Sequence, residues 1–375
     1  MQWMKRMLES EEEGAARKKR CERSHHEDKS EKNIKRTSRD IDQFPEECKM
    51  KKKRGIEDND EDGNDQKRRR ADPKGPNSQN ITSYQLHSLL GQGGFSKVML
   101  ATLSDKKPPV AIKILKKRSG RISESILREA KVLQISKESP FLGLGFAAFQ
   151  TQWHAFLVME HLSGGSLQDE LNSYGSLDIA RVRFHSAEVI CGLEFLHSRG
   201  IVHRDIKPGN IMVDAEGHTK IIDFGLAKMN VFGDNTITGF AGTGGYMAPE
   251  IRELKAYNAA VDWWAFGVTV CKMATNKSPF PMESSDDDDD SDSEDEKPIL
   301  PLWINLDLRD LINKLLRKKP QKRLGVRGNI KAHPFFSTID WEKLKNQKVP
   351  PPFQPRTTVS AIVKQWKHSH ELFSH

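Results

Sequence analysis

Several short segments of the 375-residue sequence have residue types and spacings suited to handling phosphate groups. The first is GQGGFSKV at residues 91–98, set between two strand-like runs. Glycines let backbone N–H groups approach phosphate oxygens, because no side chain stands in the way. Alone this is a weak signal, since glycine hairpins are commonly structural. The strand expected after it disfavours a dinucleotide-binding fold, in which a helix follows the glycines.

A lysine and a glutamate further along the chain are candidates for a buried ion pair. Lys113 closes the apolar run VAIK at residues 110–113. A lysine in an apolar strand must reach the surface or find an anion. Glu129 is flanked by apolar residues with helical spacing, and we predict that it is this partner.

The remaining candidates follow in two polar loops and one later tripeptide. The sequence HRDIKPGN occupies residues 203–210, KIIDFG residues 220–225, and APE residues 248–250. Each piece alone is compatible with an ordinary loop. Together with the glycine-rich turn and VAIK, in this order and spacing, they match the protein kinase signature set.

The sequence resembles a eukaryotic protein kinase over roughly residues 84–336. Within that family it is most similar to the AGC group, and there to the protein kinase C catalytic domain of the delta type. RKKPQKRLGVRGNIKAHPFFSTIDWEKL at residues 317–344 and PPFQP at residues 351–355 carry this closer resemblance.

The resemblance implies an α+β, bilobal protein kinase fold. A small antiparallel β-sheet lobe with one helix is expected over about residues 84–163. A larger, mainly helical lobe is expected over about residues 164–336, with an acidic insert at 283–297. Residues 337–375 resemble a truncated AGC-type C-terminal tail, in which the aromatic motif that docks on the small lobe is not evident.

The resemblance also implies the roles of the site residues, with ATP and Mg²⁺ as cofactors. Asp205 would accept or orient the substrate hydroxyl, and Lys207 would steady the γ-phosphate. Lys113, held by Glu129, would bind the α- and β-phosphates, while Asn210 and Asp223 would ligate Mg²⁺. The nucleotide would also contact a larger set of residues: Leu90, Gly91, Gln92, Gly93, Gly94, Phe95, Ser96, Lys97, Val98, Ala111, Met159, Glu160 and Leu162.

Other matched positions are expected to be structural. Glu250 and Arg323 would form a buried ion pair, and Asp262 would bind the backbone of the catalytic loop. His203 is interpreted as an orienting core residue rather than a base. Cys191 and Cys271 lie among apolar helix residues and are expected to serve packing.

The sequence departs from the family pattern at positions that concern regulation and specificity. Gly239 stands where AGC kinases carry a phosphorylatable threonine, which Arg204 and Lys228 would grip. Thr236 and Thr238 do not fit that place cleanly, so an upstream activating kinase is only a candidate partner. Ser166 and Gly209 replace acidic residues that select arginine-rich substrates, and Asp169 and Glu170 lie nearby as partial substitutes.

The elements that must position these residues follow from hydrophobic periodicity. Strands are predicted at Tyr84–Leu90, Lys97–Thr102, Pro109–Leu115 and His154–Met159, and a helix at Ser123–Ile135. Beyond Gly165 the pattern is mainly helical, and Ile179–Ser198 is the clearest example. A small sheet domain followed by a larger helical one is the implied architecture.

Composition limits the other classes of protein. The chain has a net charge of +8 with 36% hydrophobic residues, and much of its polarity lies in residues 1–80, predicted to be a disordered mixed-charge tail. No apolar run approaches the roughly 18–20 residues of a membrane-spanning helix. The four cysteines lack CxxC spacing, which disfavours a disulfide framework or a structural zinc site. No diacylglycerol-binding module is expected.

The basic clusters at residues 49–54 and 67–70 leave the location open. They favour nuclear import or an anionic partner, or else are part of a solvated tail. A cytoplasmic location is expected, with nuclear entry through these clusters as the alternative. Nucleic acid is not expected as the main partner, because no aromatic residues are interleaved with the basic ones.

The sequence therefore predicts a serine/threonine protein kinase that uses Mg-ATP and acts on protein substrates, with a preference for basic sequences as a hypothesis. The alternative is a nucleotide-binding pseudokinase acting as a scaffold or decoy. It is suggested by Gly239, by Gly244, which stands where the family usually has a proline, and by the missing tail motif. Retention of all four catalytic and metal-binding positions favours catalysis: Lys113, Asp205, Asn210 and Asp223. A basic nuclear factor carrying a kinase domain is a third hypothesis, which rests on the tail alone.

Overall fold

A computed structural model of the chain describes residues 80–94, 96–103, 108–280 and 297–354. The predicted disordered tail lies outside the described residues except for Asn80, as does the acidic insert except for Lys297. The C-terminal tail is described as far as Gln354.

The amino-terminal part of the fold is a five-stranded antiparallel sheet with the strand order β1-β2-β3-β5-β4. Its strands are β1 Gln85–Gln92, β2 Ser96–Thr102, β3 Val110–Lys116, β4 Gly145–Gln150 and β5 His154–Glu160. The central strand β3 carries Lys113, which pairs in register with Val98 on β2 and Leu157 on β5. Neighbours on both sides therefore fix the position of this lysine.

Helix α1, Glu124–Ser136, packs against this sheet. The Ser123 side chain caps its first turn by accepting a hydrogen bond from the Ile126 backbone N–H. Ile126, Ala130 and Leu133 are buried on one face, and Glu129 is buried with them. The period of apolar residues thus directs a carboxylate into the protein interior.

The carboxyl-terminal part is mainly helical. Its helices are α2 Leu167–Tyr174, α3 Ile179–Ser198, α4 Pro249–Arg252, α5 Ala260–Thr275, α6 Leu306–Leu315 and α7 Trp341–Lys345, and it also contains the two-stranded ribbon β6 Ile211–Val213 with β7 Thr219–Ile221. Helix α5 is apolar on all sides and buried along nearly its whole length, as a central core helix must be.

A buried ion pair between Arg323 and Glu250 holds parts of the large lobe together. The Arg323 guanidinium, fully buried, donates to both oxygens of Glu250 at 2.5 and 2.6 Å. A bidentate pair of this kind has the geometry that favours arginine over lysine. The residues therefore meet as the sequence predicted.

The predicted fold class, a small antiparallel sheet lobe with one helix and a larger helical lobe, is confirmed. The predicted helix Ile179–Ser198 has the observed bounds, and the helix expected at Ser123–Ile135 begins and ends one residue later. Strand β4 was not predicted, because its glycine and alanines have low strand propensity. In the described part of the chain, no helix has the length and apolar character needed to cross a bilayer.

Candidate active site

A cleft of about 630 Å³ lies between the sheet and the helical part of the fold. Its volume is in the range of ligand-binding pockets. Most residues predicted to bind nucleotide line it: Leu90, Gly91, Gln92, Gly93, Ser96, Val98, Ala111, Lys113, Met159, Glu160 and Leu162. Gly94 and Lys97 are not among its lining residues, and Phe95 lies outside the described part of the chain.

Sequence reasoning missed part of the lining on the helical side. Met212 on β6 and Ile222, directly after β7, lie opposite the glycine-rich strands, and Leu133 of α1 also contributes. The two strands are only three residues long, so they show no periodicity to read. Their position beside two motif loops was the signal that could have found them.

The Lys113 ammonium links the two halves of the cleft. It lies 2.6 Å from a Glu129 carboxylate oxygen on α1 and 2.7 Å from the Asp223 Oδ1 atom in the DFG turn. Burial lowers the pKa of Lys113, but the two carboxylates outweigh burial and raise it above its usual value. Burial also acts to raise the pKa of Asp223, and the Lys113 ammonium lowers it below its usual value. A charged lysine is therefore held at the cleft.

Asp205 lies in a second cluster on the catalytic loop. Its Oδ2 atom accepts hydrogen bonds from Lys207 Nζ and Asn210 Nδ2, both at 2.8 Å. Its Oδ1 atom accepts one from the Thr243 hydroxyl at 2.6 Å, and Lys207 Nζ lies 2.6 Å from the same hydroxyl oxygen. Thr243, which sequence reasoning used only as a landmark, thus contacts two predicted catalytic residues.

Buried groups hold the catalytic loop from beneath. The Asp262 carboxylate accepts hydrogen bonds from the backbone N–H groups of His203 and Arg204, each with an N···O distance of 2.8 Å. His203 Nδ1 accepts from the Asp205 backbone N–H, so its Nε2 carries the proton and donates to the Ile222 carbonyl at 3.0 Å. Both nitrogens are occupied, and the ring orients the loop, as predicted for a core histidine.

The segment between the lobes is fixed by a contact that the sequence did not reveal. The Glu160 carboxylate accepts from the Leu144 backbone N–H at 2.6 Å and lies 3.1 Å from Lys220 Nζ on β7. The Glu160 backbone N–H is engaged as well, since it donates to the Leu144 carbonyl at 2.9 Å. The group of Glu160 proposed to meet a nucleotide base is therefore its backbone carbonyl.

The cleft contains side-chain oxygens of the kind that bind a magnesium ion. Asn210 Nδ2 donates to both the carbonyl and the carboxylate of Asp205, which fixes the amide orientation and leaves its oxygen as the remaining acceptor. Asn210 and Asp223 both line the cleft, and such oxygen ligands suit Mg²⁺. Among the described residues, no group of three or more His, Cys, Asp and Glu side chains is placed to hold a metal.

Both carboxylates near the predicted substrate side are already paired. Asp169 Oδ2 accepts the backbone N–H and the hydroxyl of Ser166 in a capping box at the start of α2. Glu170 is buried and forms an ion pair with Arg181 of α3. Their charge toward a peptide is therefore reduced.

Comparison with known proteins gives matches across most of the chain. The family model for the protein kinase domain matches residues 84–336. Protein kinase C delta type from Rattus norvegicus is 43% identical over 286 residues, covering 76% of this chain and 42% of the relative. Protein kinase C epsilon type from Oryctolagus cuniculus is 36% identical over 285 residues, covering 74% and 39%.

A third relative, the putative protein kinase C delta type homolog from Drosophila melanogaster, is 40% identical over 283 residues and covers 74% of this chain and 42% of the relative. The chain therefore spans less than half the length of the relatives it matches. Similarity to the delta type in two animal groups confirms the resemblance on which the sequence analysis relied.

Proposed function

Because the chain belongs to the protein kinase family and its matched part is of the protein kinase C type, we propose that it is an active serine/threonine protein kinase. It transfers the γ-phosphoryl group of ATP, bound with Mg²⁺, to serine and threonine hydroxyls of protein substrates. The observation that carries this proposal is the meeting of Lys113, Asp223 and Asn210 at one cleft, with Asn210 bonded directly to Asp205.

Each charged side chain has a part in the proposed transfer. Asp205 accepts the proton of the substrate hydroxyl. At the same time the substrate oxygen forms a bond to the γ-phosphorus, and the bond from that phosphorus to the leaving ADP oxygen breaks. Lys207 lies 2.8 Å from Asp205 and offers its ammonium to the γ-phosphate. Lys113 holds the α- and β-phosphates, and Glu129 holds Lys113 in turn.

Asn210 and Asp223 are the proposed ligands of Mg²⁺. When bound, the ion supplies positive charge that offsets the charge developing on the transferred group. The chain's own contribution is to hold these oxygens and the Lys113 ammonium in fixed places, since phosphoryl transfer depends on positioning and charge stabilisation.

A modest preference for arginine before the acceptor is the finer proposal about substrates. It is supported by the similarity to AGC kinases and limited by Ser166 and Gly209, which carry no charge. The Asp169 carboxylate already accepts a hydrogen bond from Ser166, and the Glu170 carboxylate already forms an ion pair with Arg181. A positional-scanning peptide library measures this preference, and absence of arginine enrichment would contradict it.

The test of the proposed function is transfer of labelled phosphate from Mg-ATP by the purified full chain to basic serine and threonine peptides. Asp205→Asn is the control, and we expect it to lose transfer by at least about 100-fold while still binding Mg-ATP. If the wild-type chain binds Mg-ATP without transferring phosphate, the pseudokinase alternative replaces the proposal. The comparisons give that alternative no support.

We further propose a cytoplasmic protein that enters the nucleus through the basic clusters at 49–54 and 67–70. The support is their sequence, since both lie outside the described residues. Replacing the basic residues of both clusters with alanine and imaging a fluorescent fusion measures this, and an unchanged nuclear fraction would contradict nuclear entry.

A further inference from the structure

The activation segment, residues 223–250, is attached to the large lobe by a chain of hydrogen bonds that ends at Gly239. The Tyr257 hydroxyl donates to the Gly239 carbonyl oxygen at 2.9 Å. The same hydroxyl accepts a hydrogen bond from Arg204 Nη1, also at 2.9 Å. Tyr257 is 3% exposed, so both functions of its phenol are satisfied away from bulk water.

The backbone of Tyr257 binds the same segment at Ile237, two residues before Gly239. Its N–H donates to the Ile237 carbonyl at 2.9 Å, and the Ile237 N–H donates to the Tyr257 carbonyl at 2.8 Å. One buried residue thus makes three hydrogen bonds to the segment. Side chain and backbone together define the path of residues 237–239.

Arg204 connects this attachment to the catalytic loop. Its backbone N–H is bound by Asp262, and its side-chain Nε donates to the Leu226 carbonyl at 2.7 Å near the start of the segment. Arg204 directly precedes Asp205. The Arg204 side chain therefore contacts the start of the segment directly and its middle through Tyr257, while its backbone leads into the proposed base.

The path at Gly239 suits glycine. Its φ of +110° is a conformation that residues with a side chain rarely adopt. An added Cβ would have nothing within 4 Å, so the constraint comes from the backbone and not from crowding. A threonine at this position would be strained on the same path. The glycine and the Tyr257 contact therefore belong to one arrangement.

We propose that Tyr257 is a positioning residue that holds the activation segment in its working arrangement through Gly239 and Arg204, without a phosphate on the segment. The inference rests on the proposed kinase function and deepens it, because it removes the need for an upstream kinase. Arg204 contacts the Leu226 carbonyl and the Tyr257 phenol here, where the family pattern would have it grip a phosphate.

The experiment compares the full-length wild-type chain with Tyr257→Phe, which removes one hydroxyl and keeps the ring. Tyr174→Phe is the matched control, since Tyr174 is exposed at the end of α2. We expect Tyr257→Phe to lower kcat/KM for a peptide by about tenfold, because it removes the hydroxyl's two buried hydrogen bonds, with Gly239 and with Arg204, and we expect the KM for Mg-ATP to change by less than about twofold. Amide hydrogen exchange should accelerate at residues 236–242 and not across the rest of the large lobe.

A second arm measures independence from phosphate. The wild-type chain is treated with a broad serine/threonine phosphatase, and mass spectrometry confirms at the end of the assay that Thr236, Thr238 and Thr243 are unmodified. We expect the transfer rate to stay within about twofold of the untreated rate. Loss of the rate on dephosphorylation would overturn the inference.

The outcomes separate the two proposals. A wild-type chain that transfers no phosphate overturns the proposed function. An active wild-type chain whose Tyr257→Phe variant keeps both its rate and its exchange pattern overturns this inference alone. General unfolding of the variant is detected by its thermal midpoint, measured beside Tyr174→Phe.

Discussion

At the residue scale, the charge balance around Lys113 depends on two carboxylates that act unequally. Glu129 is buried, whereas the Asp223 side chain is 45% exposed. Glu129→Gln keeps the side-chain shape but leaves Lys113 with one carboxylate. We expect the free energy of unfolding to fall by about 1–3 kcal/mol and Mg-ATP affinity to fall with it.

Urea denaturation and calorimetric Mg-ATP binding measure these losses. Glu124→Gln is the matched control, because Glu124 lies on the same helix with its side chain 92% exposed. The control should change stability by no more than about 0.5 kcal/mol. Equal losses in both variants would show that the helix responds to charge in general and not to the Lys113 contact.

Single residues were predictable from sequence where motif neighbours surround them. Lys113, Asp205 and Asp223 each lie in a short run whose spacing is itself informative, and the structure brings all three to the cleft region. The Glu160–Lys220 pair was not predicted, because its members are separated by 60 positions and neither motif specifies a side-chain partner for them. Only the tertiary fold brings such residues together.

At the scale of elements, a buried ion pair fixes α4 and the start of α5 to the segment that follows α6. Besides binding Glu250, the Arg323 guanidinium donates to the Ala260 carbonyl at 3.2 Å. Arg323→Met should lower the free energy of unfolding by about 3–5 kcal/mol, because it leaves a buried carboxylate without its partner. Chemical denaturation measures this loss.

The double variant Glu250→Gln with Arg323→Met should recover part of that stability, since no unpaired charge remains buried. Lys314→Met, which breaks an ion pair whose two side chains are about half exposed, is the control and should cost no more than about 1 kcal/mol. A double variant less stable than Arg323→Met would contradict the argument.

The contact between His218, directly before β7, and Glu188 on α3 should make the stability of the protein depend on pH. His218 Nδ1 lies 2.7 Å from a Glu188 oxygen, and this hydrogen bond raises the pKa of His218 above 6.5. Its contribution to stability is therefore complete below pH 6.5 and is lost as pH rises through the raised value. His218→Gln should cost about 1 kcal/mol more at pH 6 than at pH 9, and equal costs by urea denaturation would contradict this.

The sequence predicted helices and strands more accurately where their periodic pattern of apolar residues was long. Helix α3 extends over 20 residues and was predicted with its observed bounds. Strand β4 was not, since β5 defines it by pairing along the six-residue sequence GFAAFQ, in which only the two phenylalanines favour a strand. Short strands are fixed by the sheet that receives them.

At the scale of the whole molecule, apolar residues form two described clusters. One joins α1 to the helices of the large lobe, and the other covers the outer face of the sheet with stacked Tyr84, Phe149 and Phe156. The sequence predicted the order of a sheet followed by helices. The polar contacts between the lobes, Lys113 with Asp223 and Glu160 with Lys220, required the structure, since they are single pairs between residues distant in sequence.

The Glu160–Lys220 pair joins β5 of the small lobe to β7 of the large lobe and is the contact whose removal should affect the whole molecule. Lys220→Met leaves Glu160 bound to Leu144 alone, so the backbone proposed to meet the base is less firmly held. We expect Mg-ATP affinity to fall by about threefold to tenfold, as loss of a partly buried charged hydrogen bond predicts, with little change in stability of the large lobe. Calorimetric binding and hydrogen exchange at residues 158–163 measure this. Lys314→Met serves again as control, and a Lys220→Met variant with wild-type affinity and exchange would mean that the pair does not control how the lobes present the cleft.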